Sequence, residues 1–193
     1  MKIQYEGLAH ISIVVEDIYK SVEFYAEHFG AIPLQKFANF SQTPFTKNLG
    51  FSLKKNEEVD ITTIYTIIPD INLYFELMQF HHPKKAKKLN HAKSNDLGVI
   101  NHISFKVTNI DEIFNSFKKS DGFEFLNTEK NYKPEKLVAI SSNEFEFFET
   151  ALENDPKEKS KVCDIVSGIK FFIVRDFNGI HWEFEQGHSD IGG

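Results

Sequence analysis

The sequence predicts an α+β fold made of two tandem βαβββ modules. A strand pattern around His10 returns around His102 at a constant shift of 92 residues (102 − 10). A second pattern, Tyr74–Gln79, returns as His181–Gln186 at a shift of 107 residues (183 − 76). A similarity that recurs at a fixed spacing indicates a structural duplication.

The first module reads as a strand, a helix and three more strands. Period-two alternation predicts a strand at 8–15 with one apolar face, which we expect to pack on a helix. Asp17 is placed as an N-cap and Gly30 as a left-handed stop, and between them apolar residues recur at helical spacing. We therefore expect a helix at 18–29. Further strands are expected at 31–40, 60–68 and 72–80, with a loop that admits a short helical turn at 41–59.

The second module repeats this order with an insertion. We expect a strand at 99–107, a helix that Asn109 caps and Gly122 stops, and a strand at 123–126. Strands follow at 136–140, 168–174 and 180–186. The insertion at 127–167 suits either a lid or extra core packing; within it, 144–152 fits a helix or a strand and 154–161 a charged loop. The predicted organisation is one integrated domain with modules at 1–80 and 98–188, joined by a lysine-rich linker at 81–97.

Composition limits the classes of function. The net charge is −6 and the sequence pI about 5.8, which disfavours nucleic acid as a partner. No apolar run is long enough to span a membrane, and no signal-peptide pattern opens the chain. A single cysteine, Cys163, excludes an internal disulfide and fits a reducing compartment, so we expect a cytoplasmic protein. The 20 Phe residues suggest an aromatic core.

Four residues stand at equivalent places in the two modules. His10 and His102 lie in the first strands, and Glu76 and Glu183 lie between apolar neighbours in the last strands. A buried carboxylate costs several kcal/mol unless it is paired or bound to a metal. If the modules pair symmetrically, two imidazoles and two carboxylates converge, a donor set that suits Zn, Ni, Co, Mn or Fe. The alternative is a pair of buried His–Glu hydrogen bonds without metal.

These motifs resemble those of the vicinal oxygen chelate superfamily, which includes glyoxalase I, fosfomycin-resistance proteins, extradiol dioxygenases and bleomycin-resistance proteins. The resemblance rests on the strand after His10, on Asp17 and Gly30, and on Arg175–Gly179 followed by Glu183. It implies that the two modules curl into a roughly eight-stranded mixed sheet around a central cavity. It also implies that His10, Glu76, His102 and Glu183 bind a divalent metal, with all four ligand positions filled.

The resemblance implies an enzyme that binds a small substrate through adjacent oxygens and moves a proton, as an isomerase or lyase does. Glu76 or Glu183 would then act as the base. The alternatives are an extradiol-type Fe(II) dioxygenase and a non-catalytic binding or resistance protein. For each of these functions we expect a monomer or a homodimer. Alternation suggests further pocket residues, although His181 also suits an exposed position near a turn, and Arg175 suits a simple pair with Asp176. These pocket candidates are Ser12, Tyr74, Met78, Ser104 and His181.

Overall fold

The computed structural model describes residues 3–51, 58–84 and 100–189. These residues form two compact units, one up to residue 84 and one from residue 100, which match the two repeats. The predicted linker falls mostly outside the described residues, so the module boundaries stay predictions. Among the helices described, none is long and apolar enough to cross a membrane.

The first unit is a four-stranded mixed sheet with one long helix. Its strands lie in the order β1-β4-β3-β2; β1 pairs with β4 in parallel, and the other pairs are antiparallel. The 41–59 segment contains a short helix, and Pro69–Ile71 forms a 3-10 turn, as the sequence suggests. The elements are β1 (Ile11–Val14), α1 (Ile18–Phe29), β2 (Ile32–Phe40), α2 (Thr43–Asn48), β3 (Asp60–Ile68) and β4 (Leu73–His82).

The predicted bounds and caps of α1 are confirmed. The Asp17 carboxylate accepts hydrogen bonds from the backbone N–H groups of Tyr19 and Lys20, and Gly30 ends the helix with φ of 66°. One face of the helix is buried and packs on the sheet, where the Tyr25 ring lies 5.9 Å from that of Phe75. The apolar side of β1, with Ile13 and Val15 buried, belongs to the same core.

The second unit holds a five-stranded mixed sheet in the order β5-β9-β8-β6, with β7 also paired to β8. Its first and last strands are again parallel neighbours. The aromatic-core prediction is confirmed here, since the rings of Phe114, Phe117, Phe172 and Phe184 form one contact network. The elements are β5 (Ile103–Lys106), α3 (Ile110–Phe117), β6 (Phe123–Phe125), β7 (Glu135–Lys136), α4 (Thr150–Glu153), α5 (Pro156–Gly168), β8 (Lys170–Asp176) and β9 (His181–Gln186).

The insertion corrects the sequence prediction. The expected charged loop at 154–161 is wrong, because Pro156–Gly168 forms a helix. Asp155 caps it by accepting from the N–H of Lys157 at 2.8 Å, and Pro156 stands in the first turn, where its missing N–H costs nothing. In place of the expected strand at 136–140 there is only the two-residue strand β7. The segment 144–152 is neither one helix nor one strand, and only its last residues, from Thr150, belong to helix α4.

Each module contains an equivalent hydrogen bond between its helix and its last strand. The Gln79 side-chain oxygen accepts from the N–H of Ile18 at 3.0 Å, and Gln186 accepts from the N–H of Ile110 at the same distance. In both modules this N–H belongs to the first residue of the helix, where no intrahelical acceptor exists. The glutamines therefore fix the position of each helix against its sheet.

We predict that Gln186→Ala lowers the free energy of unfolding by about 1 kcal/mol, because the N–H of Ile110 loses its acceptor. Gln186→Glu keeps an oxygen at this place beside a helix N-terminus and should retain most of that stability. Urea denaturation measures both variants. Equal losses in the two variants would show that packing, and not the accepted hydrogen bond, explains the effect.

Candidate functional site

Each module brings its histidine and its glutamate into direct contact. In the first unit, Nε2 of His10 lies 3.3 Å from Oε2 of Glu76. In the second, Nε2 of His102 lies 2.9 Å from Oε2 of Glu183. Both the metal site and the metal-free His–Glu hydrogen bond expected from the sequence contain such a contact, and the convergence of both pairs on one point stays a prediction.

Strand pairing explains the two contacts. The parallel register places Ser12 beside Glu76 and Ser104 beside Glu183, so each histidine, two residues earlier on its strand segment, projects from the same face as the carboxylate. Both histidines lie one residue before the regular strand begins, whereas the strands predicted at 8–15 and 99–107 included them. The opposite face of each last strand carries fully buried apolar residues, such as Phe75 and Trp182, and packs on the helix side.

Glu183 is buried, Glu76 is partly buried, and the two imidazoles are more open than either carboxylate. Side-chain exposure is 13% for Glu76 and 11% for Glu183, against 35% and 36% for His10 and His102. The carboxylates need a partner at this depth, and the rings remain reachable from outside. Such a layout suits a site that opens on the face away from the helix.

Comparison with known proteins places this fold. The family model for the Glyoxalase/Bleomycin resistance protein/Dioxygenase superfamily matches residues 7–184. The chain belongs to this superfamily. The resemblance seen in the sequence is therefore confirmed, as is the α+β fold of two modules. The comparison with curated proteins gives no significant match.

Solved structures with the superfamily fold resemble the chain along its whole length. A glyoxalase family protein from Bacillus cereus matches with a TM-score of 0.65 and 18% identity, covering 97% of this chain and 98% of that one. A glyoxylase/bleomycin resistance protein/dioxygenase domain from Frankia sp. EAN1pec gives 0.55 and 15%, covering 96% and 95%. The fosfomycin resistance protein FosX from Listeria monocytogenes, crystallised with Mn(II) and sulfate, gives 0.52 and 14%, covering 97% and 98%. At these identities the likeness concerns the fold alone.

The two units hold their carboxylates with different neighbouring residues. In the first unit, the Tyr65 hydroxyl donates to Oε1 of Glu76 at 2.8 Å and Thr63 lies 3.4 Å from the same oxygen. Burial and the bond to Glu76 raise the pKa of Tyr65 to about 12, so the phenol stays a donor at neutral pH. The sequence reasoning missed Tyr65, although it pairs directly with Glu76 across the two strands. The His10 ring meets the Tyr65 ring edge-on at 5.7 Å.

In the second unit, Ile173 stands opposite Glu183, where the first unit has Tyr65. Ser104 hydrogen-bonds Glu183, and burial raises the pKa of this carboxyl group above its ordinary value, against the opposing charge of His102. The amide oxygen of Asn101 lies 3.0 Å from Nδ1 of His102. Among the described residues, Glu183 thus has Ser104 and His102 as polar partners, whereas Glu76 has Tyr65, Thr63 and His10.

The chemistry and spacing of both pairs fit neighbouring ligands of a divalent cation and equally fit a direct His–Glu contact. Ligands bound at about 2.1 Å in neighbouring positions lie roughly 3.0 to 3.4 Å apart, close to the two observed nitrogen–oxygen separations. Within either unit, the described residues hold no group of three or more His, Cys, Asp or Glu side chains in metal-binding geometry. The four predicted ligands therefore stay a prediction, with one His–Glu contact observed in each unit.

The other predicted site residues divide into three groups. The Ser12 hydroxyl meets the Met78 sulfur at 3.0 Å beside Glu76, and Ser104 contacts Glu183. The exposed position suggested for His181 is wrong, since only 6% of this residue is accessible. Tyr74 is half-buried, and its role in a pocket stays a prediction.

The predicted ion pair between Arg175 and Asp176 is also wrong. Arg175 instead forms an ion pair with Glu124 on the neighbouring strand. Asp176 is 4% exposed and accepts from the N–H of Ile180 at 2.9 Å and from the Trp182 indole at 2.8 Å. It therefore fixes the turn that leads into the strand of Glu183.

A cavity of about 440 Å³ opens at the edge of β8 between β6 and β7. Ile173 and Phe171 contribute to its wall, and Ile173 is the direct strand neighbour of Glu183. The wall thus continues the sheet face that carries the second His–Glu pair. Its remaining lining residues are Leu126, Asn127, Tyr132, Glu135 and Lys136.

We predict that Asp176→Ala destabilises the protein by about 2 kcal/mol, because it leaves the buried indole N–H of Trp182 and the partly buried N–H of Ile180 without this acceptor. Trp182 is the only tryptophan of the chain, so its emission maximum reports on the loss of the indole hydrogen bond. Asp176→Asn keeps one acceptor and should lose less. Thermal unfolding and fluorescence test this; an unchanged spectrum in Asp176→Ala would contradict the assigned bond.

Proposed function

We propose that the protein is a metal-dependent enzyme that binds a small substrate through two adjacent oxygens and moves a proton on it. The observation that carries the proposal is the repeated His–Glu contact, since the same donor pair is kept at equivalent positions of both modules. The glutamine bonds to the helices also recur in both modules, but these contacts join two types of metal ligand, an imidazole nitrogen and a carboxylate oxygen. Membership of the superfamily supports the same reading.

We assign His10, Glu76, His102 and Glu183 as the ligands of one divalent cation. Each module supplies two of them, and the convergence of both pairs on a single ion is part of the proposal. Mn(II), present in the FosX structure, is one candidate beside Zn, Ni, Co and Fe. When bound, the cation would act as a Lewis acid toward the substrate oxygens.

The protein's own residues would then divide the work. Glu76, held by Tyr65 and lying 3.4 Å from Thr63, is anchored and suits a fixed ligand. Glu183 faces Ile173 and has Ser104 as its hydroxyl partner, so it is freer to leave the metal and accept a substrate proton. The wall around Ile173 and Phe171 would receive the apolar part of the substrate and exclude water.

We expect His10→Ala and Glu183→Ala each to abolish stoichiometric metal binding, because either change removes one of four ligands. His82→Ala serves as the matched control, since His82 is exposed at the end of β4. The variants are loaded with Mn(II), Zn(II), Ni(II) or Co(II), freed of excess ion by gel filtration, and analysed for metal per chain. Circular dichroism confirms the fold. One metal per chain in both site variants would refute the ligand assignment.

The reaction class has its own test. Metabolites with adjacent oxygens, such as α-hydroxyketones and 1,2-diols, should raise the melting temperature of the metal-loaded protein and leave the metal-free protein unchanged. Glu183→Gln should leave this stabilisation largely intact and stop the deuterium exchange of α-hydroxyketones at the carbon next to the carbonyl. Iron in the purified protein with oxygen uptake on catechols would instead indicate a dioxygenase. Tight ligand binding without metal would indicate a sequestering protein.

A further inference from the structure

His102 lies outside the strand that should hold it. The regular pairing of β5 with β9 begins at Ile103, opposite Trp182, so neither Asn101 nor His102 belongs to the ladder. A metal ligand on an unpaired segment needs another restraint, because misplacement by a fraction of an ångström weakens a coordination bond. A side-chain hydrogen bond can supply this restraint.

His181 provides a contact with this segment. It is the first residue of β9 and is buried, and its Nδ1 lies 3.1 Å from the carbonyl oxygen of Asn101. A carbonyl oxygen accepts only, so Nδ1 of His181 carries the hydrogen and donates it. This bond continues the connection between the two strands one step beyond the ladder.

Asn101 passes the restraint on to the metal ligand. Its side-chain oxygen lies 3.0 Å from Nδ1 of His102, while Nε2 of the same ring lies 2.9 Å from Glu183. With the amide oxygen as acceptor, Nδ1 of His102 is the protonated nitrogen, and Nε2 is the nitrogen directed at the site. Fixing the Asn101 backbone thereby fixes the orientation of the His102 ring.

Apart from this hydrogen bond, a buried imidazole at position 181 is energetically unfavourable. Among the described residues, its Nε2 has no hydrogen-bond partner. An unsatisfied buried nitrogen costs about 1 to 3 kcal/mol, which leucine would avoid. The first module has Ala9 and Tyr74 at the places of Asn101 and His181, so only the second repeat has this pair of side chains.

We propose that His181 is a positioning residue that acts through Asn101 to aim Nε2 of His102 at the metal site. The inference rests on the proposed function for the identity of the metal site, but the hydrogen bond to Asn101 stands by itself. His181 touches neither metal nor substrate in this role, and its contribution comes from Nδ1 alone.

Two substitutions separate this role from simple packing. His181→Leu removes the donor at similar volume, and His181→Asn keeps an N–H donor near the place of Nδ1 while it removes Nε2. We expect His181→Leu to bind Mn(II) or Zn(II) roughly tenfold more weakly in calorimetric titration, the lower end of the cost for lost outer ligand contacts. His181→Asn should bind close to the unchanged protein. His82→Leu and His82→Asn are the surface controls.

Hydrogen exchange of the metal-free protein gives a second readout that does not depend on metal binding. The backbone amides of residues 101–104 should exchange faster in His181→Leu and at the original rate in His181→Asn. Equal behaviour of the two variants, in affinity and in exchange, would overturn the proposal. If the unchanged protein bound no metal while the exchange difference persisted, the proposed function would fail and the restraint on Asn101 would stand.

Discussion

The parallel pairing of the first and last strands in each module is the constraint on which the candidate site depends. It places residues far apart in the chain, such as Ser12 and Glu76, side by side in register. A slip of one residue would turn the glutamate toward the helix and leave a carboxylate in an aromatic core. The helix packs on one face only, so the register decides that the charged groups remain on the other.

The helix depends on the same strand. Gln79 and Gln186 lie three residues after the two glutamates and accept a hydrogen bond from the first N–H of their helices. The last strand of each module therefore does two things: it presents a carboxylate on one face and fixes the helix at its end. Because the same strand carries the glutamate and the glutamine, a shift of the helix would also move the carboxylate.

The sequence predicted the parts that depend on local chemistry and on the repeat. Asp17 and Gly30 define the first helix because a cap and a left-handed stop act within a few residues. The His–Glu pairs followed from their equivalent positions. The helix from Pro156 was missed, although Asp155 followed by proline is a local start pattern, because its charged first turn resembles a loop. Burial of His181 and the partner of Arg175 depend on neighbouring strands, which the local sequence does not reveal.

What the duplication kept differs from what it changed. The histidine, the glutamate and the glutamine recur in both modules, whereas the groups around each carboxylate do not: a phenol holds Glu76, and an aliphatic residue faces Glu183. The same His–Glu pair in both modules suits a metal ion, because a spherical ion can accept identical ligands from two directions. A substrate, by contrast, needs one side that binds and one side that reacts. The residues that recur are the ligands proposed for the metal, whereas Tyr65, Ile173 and His181 differ between the modules and give the two His–Glu pairs different surroundings.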